Sequence, residues 1–143
     1  MASEKKIVVF TVGDSRYGVD ISSVKEIMPA QKTTQVPNAP HSVKGVTSLR
    51  GRVMPVLCLS TCLNITRDQH EEPTRIIVIE HGREIVGCLV DSVREVLSID
   101  SEQIEPLPES LCDQHSRLLG MIRTGDDLVT LIDMERVIDT IAV

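Results

Sequence analysis

Residues 7–27, IVVFTVGDSRYGVDISSVKEI, return at 76–96 as IIVIEHGREIVGCLVDSVREV, and this internal repeat constrains the fold more than any other feature. Aligned without gaps, seven of the 21 positions are identical: Ile7/Ile76, Val9/Val78, Gly13/Gly82, Gly18/Gly87, Ser23/Ser92, Val24/Val93 and Glu26/Glu95. Each copy reads as an apolar strand, a turn at Gly13 or Gly82, and a return strand from Tyr17 or Ile85. After Ser23 or Ser92 comes a third short segment, VKEI or VREV, that alternates apolar and charged residues. A second pair of segments, VKGVTSLRGRVMPVLCL (43–59) and LLGMIRTGDDLVTLIDM (118–134), repeats a strand, a polar Gly-containing tip and another strand. Arg50-Gly51-Arg52 therefore stands where Gly125-Asp126-Asp127 stands in the other half, and both are hairpin turns of opposite charge.

About five short strands in each half predict an all-β chain, and closing each set into a small barrel removes the exposed edges. The expected architecture is two SH3-like five-stranded β-barrels related by a pseudo-twofold, with an apolar seam between them open to another macromolecule. The whole chain, 1–143, forms one domain. Its first barrel is placed at roughly 13–75 and its second at roughly 76–143, with the N-terminal strand 7–12 added to the second. Eighteen Val and fourteen Ile against twelve Leu support sheet, because β-branched residues pack well on a pleated surface. Helix is confined to short pieces: one turn in APHSVKG (39–45) ended by Gly45, a start signal in SEQI (101–104) cut short by Pro106, and a C-terminal helix of two to three turns in DMERVIDTIAV.

Several function classes are disfavoured. A formal net charge of −6 opposes nucleic-acid binding, which needs clustered Lys and Arg. Phe10 and Tyr17 are the only aromatics, so no base-stacking platform can be built. The first apolar run, Ile7 to Val12, is too short for a signal-peptide core or a membrane span, which points to the cytoplasm. Cys58, Cys62, Cys88 and Cys112 lack zinc spacing and read as structural thiols. No nucleophile elbow, zinc-protease motif or phosphate-cradling loop is present. Asp126-Asp127 reads as a solvated turn, and His81 and His115 as isolated loop histidines. Neither a catalytic site nor a cofactor or metal site is expected.

Six segments in order, YGVDISSVKEI (17–27), VPNAP (36–40), VKGVTSLRG (43–51), VGCLVDSVREVL (86–97), IEPLP (104–108) and LLGMI (118–122), resemble the CheW family of chemosensory adaptors. The chain departs from that family where its usual Asn-Leu-Arg-Gly tip reads Ser48-Leu49-Arg50-Gly51, and where its Pro-Val-Val-Asp-Leu-Arg strand reads Pro55-Val56-Leu57-Cys58-Leu59-Ser60. The resemblance implies the double-barrel fold, no enzymatic activity, and a scaffold that couples the cytoplasmic tip of methyl-accepting chemoreceptors to the regulatory domain of a CheA-type histidine kinase. It places receptor contacts at Val24, Ile27 and Arg50 and a kinase contact at Gly45; the internal repeat adds Val93 and Val96 as the opposite receptor wall, and exposure by alternation adds Glu26 as a polar kinase contact. It also implies a cytoplasmic protein recruited to membrane receptor arrays by its partners. From the residues alone, Arg50 is equally a solvated turn residue, a brace onto a carboxylate, or a recognition group. Val24 and Ile27 read as core residues or as a groove wall, Glu26 as an exposed rim residue, and Gly45 as a helix stop. Two further readings remain open: an adaptor of a non-flagellar pathway controlling pili, surface motility or transcription, and a small barrel that binds a ligand.

Overall fold

A computed structural model describes residues 3–65, 73–111 and 117–141. Among the described residues, eleven strands and two short α-helices follow in order: β1 Glu4–Val12, β2 Ser15–Asp20, β3 Val24–Pro29, β4 Val43–Leu49, β5 Arg52–Cys58, α1 Leu59–Cys62, β6 Arg75–His81, β7 Glu84–Val90, β8 Ser92–Asp100, β9 Ile104–Glu105, β10 Leu118–Thr124, β11 Asp127–Ile132 and α2 Met134–Asp139. They form two sheets, one ordered β3-β6-β7-β5-β4 and the other β8-β1-β2-β11-β10-β9. The fold is all-β, as the repeat requires, and the second sheet gains a sixth strand in the two-residue β9.

The two sheets do not divide at the expected 13–75 and 76–143 with strand 7–12 added to the second. One sheet takes β3 to β7, residues 24–90, and the other takes β1 and β2 together with β8 to β11. Each repeat thus places its first hairpin in one sheet and its remaining strands in the other. The two copies exchange hairpins, so a boundary drawn between repeats cuts across both sheets.

The pseudo-twofold is visible in the register. The parallel pair that admits the exchanged hairpin sets Val56 beside Gly87 in one sheet and Leu131 beside Gly18 in the other. A Cβ on Gly18 would lie 2.5 Å from Ile7 Cγ2, and one on Gly87 would lie 2.8 Å from Ile76 Cγ2. Two of the repeat's identities are therefore one contact made twice, an isoleucine seated in a glycine notch. The turns agree as well, with φ of 63° at Gly13 and 64° at Gly82.

Alternation sorts the apolar side chains into three cores. Ile7 and Val9 point into one sheet with Ile99, Ile122, Val129 and Leu131, while Ile76 and Val78 point into the other with Met28, Met54 and Val56. The opposite faces of β1 and β6, carrying Val8, Phe10, Ile77 and Ile79, meet between the sheets. Here the expected open seam is corrected. Val86, Cys88, Leu57 and Ile132 join those residues, and Met134, Val137 and Ile138 of α2 pack into the same cluster. The junction is filled by the chain itself, because strands buried on both faces supply enough apolar surface to close it.

Smaller expectations also shift. Residues 41–42 make a turn and β4 starts at Val43, so Gly45 lies within a strand and ends no helix. SEQI forms a 3-10 turn over Ser101–Gln103, capped where the Asp100 N–H donates to Gln103 Oε1 at 2.7 Å. The C-terminal helix has six residues, shorter than expected, and Asp133 caps it by accepting from the Arg136 N–H at 3.2 Å. His81 is not isolated, since its Nε2 lies 2.6 Å from Asp139 Oδ1 and ties the β6–β7 hairpin to α2. Cys88 is fully buried, and burial above all pushes its thiol up to about 12. Cys112 and His115 lie outside the described residues.

Candidate functional site

The Arg50 tip is a two-residue hairpin loop closing the Leu49–Arg52 pair, with positive φ at both Arg50 (52°) and Gly51 (81°). Such a turn matches the twist of its strands, but it normally takes Asn, Asp or Gly at the first position. Arg50 instead holds the left-handed conformation and reaches out, its side chain 78% exposed, to donate from Nη2 to Glu26 Oε2 at 3.0 Å. Arg52 turns elsewhere, donating from Nη2 to the Arg83 carbonyl of the β6–β7 turn at 2.8 Å. The basic pair therefore splits: one arginine ties hairpin to hairpin, and the other lies across the β3 edge.

Strand β3 carries a bulge at Lys25: Val24 opposes Ile79, Glu26 opposes Val78 and Ile27 opposes Ile77. Residues opposed in an antiparallel pair share a face, so the extra residue brings Val24 and Ile27 to the side of Ile77 and Ile79. Glu26 moves to the other face and is half-buried, not exposed as the alternation suggests. Strand β8 repeats the device: Val93 opposes Phe10, Glu95 opposes Val9 and Val96 opposes Val8, with Arg94 as the extra residue. Val24 and Val93 pack against the shared core, whereas Ile27 and Val96 remain 41% and 51% exposed.

The predicted residues thus gather on two edge strands of different sheets, Val24 and Ile27 on β3 and Val93 and Val96 on β8. Arg50 joins the β3 set through Glu26. Gly45 stands apart in β4, beside a short bridge in which Thr34 and Val46 exchange two backbone hydrogen bonds at 2.8 and 2.9 Å. A Cβ there would lie 2.5 Å from the Thr34 carbonyl oxygen. Its glycine is required by this backbone approach.

Val53, 74% exposed beside the Arg50 tip, was not singled out from the sequence, nor was its repeat counterpart Leu128 at 44%. Both open largely apolar runs, VMPVLCL and LVTLI, that hide which face is outward. Their equivalent positions flanking the two polar tips were the available signal.

The site offers apolar rims, an ion pair and strand edges, which suit binding. No group of side chains suited to a metal ion occurs among the described residues, and no helix is long and apolar enough to cross a membrane. Past the altered strand end, the Cys62 thiol is raised to about 11, chiefly by burial and then by Cys58.

The CheW-like domain model matches residues 6–142. This chain belongs to the CheW-like domain family. It is 34% identical to the chemotaxis protein CheW of Klebsiella aerogenes over 139 residues, covering 95% of this chain and 82% of that one. Against the chemotaxis protein CheW of Bacillus subtilis it is 32% identical, covering 94% and 87%. The crystal structure of the scaffolding protein TtCheW from Thermoanaerobacter tengcongensis superposes with a TM-score of 0.85 at 32% identity, covering 94% of this chain and 88% of that one. The CheW-like family is one of non-enzymatic adaptors, and the chain is a scaffold of the chemosensory kind.

Proposed function

We propose that the protein is a non-catalytic cytoplasmic coupler, needing no cofactor, that seats the helical cytoplasmic tip of methyl-accepting chemoreceptors against Val24, Ile27, Val93 and Val96, with Arg50 at the end of the β3 rim. The regulatory domain of a CheA-type histidine kinase docks on the surface that includes Glu26 and the hairpin supported by Gly45. Partners recruit the protein to membrane receptor arrays. One observation carries this reading: Ile27 and Val96, equivalent in the repeat, both stay uncovered on the strand face that elsewhere packs the core. An amphipathic receptor helix lays its apolar stripe on such a rim. The filled junction favours docking on the rims, where the receptor adds to the protein's surface without opening it.

Signalling through this scaffold needs only unequal affinity for the kinase-on and kinase-off arrangements, on the order of a few kcal/mol. Kinase autophosphorylation, reconstituted with receptor fragment, CheA-type kinase and this protein, tests the reading. Activity should rise when the protein is added and fall back with Ile27→Asp or Val96→Asp, while thermal melting stays unchanged. Wild-type coupling by both variants would refute the rim.

A further inference from the structure

We infer that Arg94 is a recognition residue for a carboxylate on the docking helix, placed one residue from Val93 and two from Val96. This rests on the reading that a receptor helix lies along the β8 rim, and it assigns the polar contact that selects that helix.

The argument comes from comparing the two copies of the rim. Lys25 and Arg94 are equivalent in the repeat, and each is the extra residue of an equivalent bulge, where a side chain is re-aimed out of the regular ladder. Lys25 is neutralised within the chain, its Nζ 3.0 Å from Glu80 Oε1. The counterpart of Glu80 in the other half is Thr11, whose Oγ1 lies 2.6 Å from Ser92 Oγ and carries no charge. The second ion pair of the first rim is lost in the same way. Glu26 holds Arg50, but the counterpart of Arg50 is Gly125, so Glu95 has no cation to meet.

The exposed Arg94 guanidinium makes no hydrogen bond or ion pair with any described residue. It lines a cleft of about 660 Å³ in which Arg16 already engages Asp127 at 3.4 Å and the Gly13 N–H donates to Asp91 Oδ2 at 2.7 Å. A planar guanidinium without an internal partner, two residues from the exposed Val96, complements a helix that carries an apolar residue and a carboxylate about one turn apart. On the first rim the cations Lys25 and Arg50 are already paired within the chain, to Glu80 and Glu26. The rim cation left for a partner's carboxylate without breaking an internal pair is therefore Arg94 on β8.

The probe is a soluble receptor fragment containing the helical cytoplasmic tip, from the same genome, titrated with the intact protein at low and high salt. Arg94→Glu should weaken binding by about tenfold or more and Arg94→Ala by less, with the salt dependence flattened in the alanine variant. Reversing a tip carboxylate to Lys should restore binding to Arg94→Glu. Wild-type affinity in Arg94→Glu, alongside lost binding in Val96→Asp, would overturn the inference and leave the rim reading intact. Wild-type affinity in both would remove the β8 rim and the inference with it. Weakened binding to the kinase regulatory domain alone would assign Arg94 to the other partner and equally overturn it.

Discussion

Arg50 sets a conformational cost against an electrostatic gain. Holding a non-glycine residue in the left-handed region costs about 1–2 kcal/mol relative to its preferred conformations, a penalty glycine does not carry. The compensating ion pair to Glu26 is mostly solvated on the arginine side, and such pairs contribute roughly 0–1 kcal/mol. Stability alone thus favours glycine at this position, and an arginine retained under strain points to recognition. Arg50→Gly should leave the melting temperature unchanged or raise it by a few degrees, while abolishing receptor-dependent kinase activation. A clear fall in melting temperature would instead make Arg50 a brace for the β3 edge. The identity and exposure of this arginine were legible in the sequence. Its partner was not, because Glu26 reaches it only through a register event on a different strand.

That register event belongs to the elements. The sequence shows strands, turns and their repetition, since polarity alternation and glycine spacing record them directly. Bulges at Lys25 and Arg94 leave no comparable trace, because a bulge depends on how many residues the neighbouring strand presents opposite it. Alternation alone therefore exposes Glu26, which the bulge half-buries, and local pattern makes Gly45 a helix end where it lies inside β4. The second repeat segment bulges too, with register shifts between Val43 and Gly45 and between Leu118 and Gly120. At both glycines a flanking segment crosses closely: a Cβ on Gly120 would lie 2.7 Å from the Glu105 carbonyl oxygen, as one on Gly45 would meet Thr34. Backbone cannot yield as a flexible side chain does, so Gly45→Ala and Gly120→Ala should each cost about 1–3 kcal/mol in urea unfolding. Only Gly45→Ala should also weaken kinase binding, because only that hairpin adjoins the Glu26 and Arg50 surface. Equal loss of kinase binding in both variants would reduce the effect to general destabilisation.

Across the whole molecule, the repeat reveals a pseudo-twofold without revealing which strands share a sheet. Sequence similarity is the same whether each copy closes on itself or lends its first hairpin to the other, so the exchange is invisible until pairing is known. Its consequence is energetic. With the hairpins exchanged, β1 and β6 present one face to their own sheet and the other to the common core, and neither sheet is complete without strands from both repeats. The two sheets should then unfold together. Phe10 tests this most directly: it is fully buried in the common core and stacks on Tyr17 with ring centroids 6.1 Å apart. Phe10→Ala should cost about 3–5 kcal/mol. Amide exchange in the Met54 and Ile76 core of one sheet and the Val9 and Ile122 core of the other should accelerate by the same factor, because both open through the same global transition. Acceleration confined to the sheet that contains Phe10 would mean that the sheets are separable units, and that a partner could pry apart a junction the side chains hold closed.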